Sequence, residues 1–145
     1  MSEANGRIGS ADNEAVVRRF FEVFNQHRPE GLEEIISPDY VDYGHDPPGR
    51  GPQGALDDYR GVMMVASDAR YEIDDIVADG DTVAARWTGS MTHTGISIAG
   101  IAATGKNLTL TGMSFYKLRN GQIVETRNQV DMLGFLGQLG AIPTG

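Results

Sequence analysis

The apolar residues of this chain change period once, near Arg70, and that change limits the fold more than any other feature. Before it, Val16, Val17, Phe20, Phe21, Val23 and Phe24 form one wide helical stripe. Leu56, Tyr59, Val62, Met63 and Met64 form another. After it, apolar and polar residues alternate as they do in half-buried strands. Helices first and strands afterwards is the order of an α+β domain. The expected architecture is three N-terminal helices against a strongly curved antiparallel sheet, with a short C-terminal helix. A bent sheet over helices leaves a cavity, and cavities of that kind bind small molecules.

Local signals divide the chain further. Asp12 and Asn13 are expected to cap the first helix. Pro29 starts a short second helix, which Ser37-Pro38 ends. Residues 39–43 read as a short strand and 45–52 as a loop dense in breakers. Further strands are expected over 71–77, 82–92, 107–118 and 122–131, with turns at Asp79-Gly80-Asp81 and Asn120-Gly121. A Gly-rich loop occupies 93–106, and a last helix covers 132–139. Residues 1–11 are polar and read as a flexible tail, which leaves 12–145 as one domain.

Composition excludes several functions. The formal net charge is −8 and the twelve basic residues are scattered, so neither nucleic acid nor an anionic membrane is an expected partner. The absence of cysteine removes disulfides, thiolate nucleophiles and Cys-based metal sites. No apolar run approaches the ~18 residues of a membrane span, and the N-terminus lacks the apolar stretch of a signal peptide. The chain therefore reads as soluble and cytoplasmic. There is no GxGxxG between a strand and a helix and no GxxxxGK[ST], so no phosphate cradle and no flavin or nicotinamide site is expected.

Three histidines carry the candidate proton chemistry, because imidazole titrates nearest neutrality. His27 reads as a solvated loop residue. His45 lies beside Asp42 and Asp46 in the breaker-rich loop, at the expected cavity rim. His93 ends a long strand. For each, the plain alternative is a hydrogen bond within a turn. Asp42, His45 and Asp46 offer N and O ligands without a recognised metal spacing, so no metal site is expected. Trp87, Phe24, Tyr59, Phe115 and Tyr116 could stack on a flat ligand. Trp87 and Tyr59 are favoured for this by their polar handles, whereas core packing is the better reading of Phe24 and Phe115. Asp57-Asp58 and Asp74-Asp75 read as solvated faces.

Eight segments carry a resemblance to a known family: VRRFFEVFN from Val17, SPDYVD from Ser37, HDPP from His45, ADGDTVAARW from Ala78, THTG from Thr92, ATGK from Ala103, GQIVE from Gly121 and LGFLGQLGA from Leu133. Together they resemble the SnoaL-like polyketide cyclases, on the cone-shaped fold shared with ketosteroid isomerases and nuclear-transport-factor-like proteins. The resemblance implies a deep ligand cavity, a homodimer, an aromatic polyketide of the anthracycline type as substrate, and no metal or organic cofactor. It aligns Asn128 with the family's acid/base carboxylate and Ser114 with a histidine. An amide cannot exchange a proton near neutral pH. Asp131 could substitute, but strand alternation puts it on the opposite face from Asn128. These departures favour a cofactor-independent ring hydroxylase in antibiotic biosynthesis, with Asn128 as a hydrogen-bond donor. The alternatives are an aldol cyclase, with Asp131, His93 or His45 as base, and a binder of a hydrophobic small molecule without chemistry. The expected ligand contacts are Asp42, Tyr59, Trp87, Ser114 and Phe24.

Overall fold

In the computed structural model, which describes residues 9–142, the chain forms four α-helices and one six-stranded sheet. Helix α1 (Ser10–Asn25) is followed by a 3-10 turn (Pro29–Gly31), α2 (Leu32–Ile35), β1 (Ile36–Asp42), the short β2 (Gly49–Arg50) and α3 (Gly51–Val65). Then come β3 (Arg70–Asp79), β4 (Thr82–Thr92), β5 (Asn107–Arg119), β6 (Gln122–Val130) and α4 (Met132–Gln138). The strand order is β2-β1-β6-β5-β4-β3.

The α+β class and the helix-then-sheet order match the expectation, with two corrections. The sheet is mixed: β1 runs parallel to β6, whereas all other pairs are antiparallel. Ser37-Pro38 does not end a helix but lies within β1. The β1–β6 register shifts between Ile36 and Val41, and an irregularity of this kind tolerates a residue that has no N–H to donate. Helix α1 starts at Ser10, and Asp12 accepts a hydrogen bond from the Gly9 N–H. Of the expected tail, residues 1–8 lie outside the described residues, and Ser10 and Ala11 are helical.

Polar side chains fix α1 on the sheet. Asn25 donates to the Tyr71 carbonyl and accepts from the Tyr71 N–H, both at 2.8 Å, as a neighbouring strand would. Asn13 donates to the Gly80 carbonyl at 2.8 Å, and Ser10 Oγ accepts from the Gly80 N–H at 2.8 Å. Both α1 and α3 pack on the inner face, α1 along β3 and α3 along β1. The core there includes Val17, Ile36, Val83 and Ile123, all fully buried. The opposite face stays open, with Val77, Met113 and Phe115 exposed. Phe115 is therefore not a core residue, because its neighbours Ser114 and Tyr116 take the inward positions. Among the described residues no helix is long and apolar enough to cross a membrane.

Candidate active site

Two adjoining chambers lie between helices and sheet. The inner one, about 340 Å³, is walled by Phe20, Phe24, Tyr71, Trp87 and Tyr116, with Ser114 and Asn128 on its sheet side. The outer one, about 520 Å³, opens between α3, the 93–106 loop and α4. His45, Asp58, Val62, Tyr71, Leu110 and Met132 line both, so they mark the junction.

A hydrogen-bond chain lies along the inner wall. Trp87 Nε1 donates to Ser114 Oγ at 2.9 Å. Ser114 Oγ in turn donates to Asn128 Oδ1. An indole N–H can only donate, so it claims a lone pair of Ser114 and leaves the hydroxyl proton for Asn128. The amide thus shows its oxygen to Ser114, and its Nδ2 remains as a donor. Among the described residues that nitrogen makes no side-chain hydrogen bond of its own, the amide's one contact being through its oxygen. Trp87 reaches this position because Gly112 is its cross-strand partner: a Cβ there would come within 2.5 Å of the indole ring.

The second polar group sits at the junction. Asp42 ends β1 and is buried, Asp58 projects from α3, and His45 lies in the loop after β1. His45 Nε2 is 2.9 Å from Asp58 Oδ1 and 3.5 Å from Asp42 Oδ2. Two carboxylates address the same nitrogen, so in the neutral ring Nε2 carries the proton and Nδ1 is the acceptor. Asp42 Oδ1 accepts from the Gly44 N–H at 2.7 Å. A Cβ on Gly44 would lie 2.9 Å from both Asp42 Oδ1 and Asn128 Nδ2, so a larger residue would push the carboxylate or the amide aside.

Withdrawal from bulk water is the largest influence on Asp58 and raises its pKa; His45 pulls it back and the Asp42 charge raises it again. Although 41% of the Asp58 side chain is reached by solvent, it lies inside the concavity, where hydration is incomplete. Tyr40 is held neutral by burial and then by the Asp42 charge, and it donates to Thr126 Oγ1 at 2.9 Å. Burial likewise raises the Tyr71 and Tyr116 phenols. Asp42, His45 and Asp58 each offer one ligand atom within 4.8 Å of the others, so a cation could be held there. The same contacts equally suit a shared proton.

Of the residues expected at the site, Asn128, His45, Asp42, Trp87, Ser114 and Phe24 line the cavity. Three do not. His93 is fully buried, with Nε2 on the Ile96 carbonyl at 2.9 Å and Nδ1 accepting from the Thr104 N–H at 3.3 Å. It fastens the 93–106 loop. Asp131 caps α4 by accepting from the Gly134 N–H at 2.9 Å. Tyr59 follows Asp58 by one residue, a rotation of roughly 100° about the helix. It turns away from the cavity, against Phe24 and toward His27 Nδ1 at 3.3 Å. Asp58 was missed, having been read as part of a solvated face.

Residues 14–139 match the family described as SnoaL-like polyketide cyclase. No curated protein is matched by sequence. Among solved structures, TsrD from Streptomyces laurentii is 25% identical, with 93% of this chain and 99% of that one covered and a TM-score of 0.84. AclR, a candidate hydroxylase from Streptomyces galilaeus, is 25% identical over 93% of this chain and 89% of its own, with a TM-score of 0.82. IdmH, a candidate polyketide cyclase from Streptomyces antibioticus, is 30% identical over 88% of this chain and 98% of its own, with a TM-score of 0.77.

Proposed function

Because the chain belongs to the SnoaL-like polyketide cyclase family, we propose that it closes a ring on an aromatic polyketide by an intramolecular aldol reaction. The observation that carries this reading is the His45–Asp58 hydrogen bond, at 2.9 Å, in the same cavity as the Asn128 amide. His45 Nδ1 takes a proton from a carbon next to a carbonyl, and the Asp58 carboxylate steadies the imidazolium that forms. The enolate carbon attacks a second carbonyl of the same molecule and a C–C bond forms. Asn128 Nδ2 holds the oxygen on which charge develops. The imidazolium then returns its proton to the new alkoxide. No electrons are gained or lost overall, so the reaction requires no redox cofactor.

Asn128 in place of a carboxylate favours hydroxylation only while the site lacks a base. Asp42, His45 and Asp58 supply proton acceptors beside that amide, so the weight moves to cyclisation. Likeness to AclR supports hydroxylation as the second reading. Here the same base forms a phenolate, and a ring at the hydroquinone level gives both electrons to dioxygen, yielding a hydroxyquinone and water. Product mass separates the two. Incubation with an aromatic polyketide bearing an unclosed β-keto arm is expected to give an isomer, or a product lighter by one water, unchanged by a chelator. A product that has gained one oxygen atom and lost two hydrogens would overturn the cyclase reading.

The outer face of the sheet supports a second copy of the chain as partner. Val77, Ala84 and Phe115 stand in cross-strand register there, and Met113 lies one position along. An exposed apolar patch of this kind is normally covered.

A further inference from the structure

The two chambers differ in what they can hold. The inner walls carry seven aromatic side chains and the Asn128 donor. The outer chamber is lined by Val62, Val65, Met91, Ile98, Leu110 and Phe135, with no aromatic stack and no amide. Neither lining includes a lysine or an arginine among the described residues. A phosphate or carboxylate on the ligand would therefore be desolvated without a countercharge, beside Asp42 and Asp58. His45 and Asp58 line both chambers.

We propose that the ligand is bipartite: a flat, uncharged aromatic ring system in the inner chamber and an apolar arm in the outer one, joined beside His45 and Asp58. The proposal rests on the reading of this cavity as the reaction site. Asn128 holds a carbonyl or phenol oxygen of the ring system. The acidic C–H stands at the joint, where ring and arm meet, because that is where the two chambers share the imidazole.

The test is a pair of probes, 1,8-dihydroxyanthraquinone and its 3-hexyl derivative. Binding is read from the fluorescence of the single tryptophan, Trp87, which lines the inner chamber alone. The hexyl chain is expected to tighten binding to the wild type by at least about tenfold. Gly61 sits on α3 at the outer chamber, and a Cβ there meets nothing within 4 Å. Gly61→Phe should fold normally and take up part of that chamber. The variant should lose the hexyl gain while binding the bare ring within about twofold of wild type. A wild type indifferent to the chain would overturn the proposal, and so would a Gly61→Phe variant that weakens both probes alike. Both readouts are of binding, so a failure of the aldol chemistry shows separately, as absent product with the chain-length dependence intact.

Discussion

Asp58 shows how a candidate catalytic group can sit unnoticed in a helix. As half of an Asp57-Asp58 pair it looks like surface charge. Yet Ala55, Asp58, Val62 and Val65 follow one another at three- and four-residue steps, and Asp58 is the charged member of that inward stripe. His45 and His93 were equal candidates by sequence. Burial and local partners separate them, and neither can be read from composition. Asp58 also carries a pH prediction. Its pKa is raised by burial, so between the ordinary carboxylate value and the raised one the fold binds more protons than the unfolded chain. Stability therefore falls as pH rises through that window, and the cost persists above it. Asp58→Asn is expected to melt at or above the wild-type temperature near neutrality, with the gap narrowing as pH is lowered toward the ordinary range. Turnover should fall by about 10²-fold or more. A markedly lower melting temperature at neutral pH would make Asp58 a structural anchor instead.

At the scale of elements, the long strands were legible because alternation and turn chemistry agree. Asn120 and Gly121 both adopt positive φ, as a tight hairpin between β5 and β6 requires. The placement of β1 was not legible. Its partner β6 lies some eighty residues further on, and an alternating pattern carries no sign of parallel or antiparallel pairing. The outward residues of β3 and β5 were legible as an apolar face, on which a second copy of the chain is expected. If two copies meet there, Phe115→Asp puts a charge in the middle of the contact. Sedimentation is expected to show a dimer for the wild type and a monomer for the variant, with unchanged far-UV circular dichroism. A monomeric wild type at micromolar concentration would contradict the association.

For the whole molecule, the order of elements implied a cavity, and the residues that give it chemistry come from separate parts of the chain. Asp42 and His45 lie at and after β1, Asp58 on α3, Trp87 on β4, Ser114 on β5 and Asn128 on β6. Their meeting depends on the curvature of the sheet and on small residues at Gly44 and Gly112, which no single segment reveals. The central claim is that this assembly removes a proton from carbon. Deuterium uptake from D₂O into the methyl group of 1-acetonaphthone, followed by mass spectrometry, tests it most directly. That exchange is slow without a catalyst. The wild type is expected to accelerate it, and His45→Gln to lose about 10²–10⁴-fold of the acceleration with its melting curve unchanged. Equal exchange by wild type and variant would contradict the account.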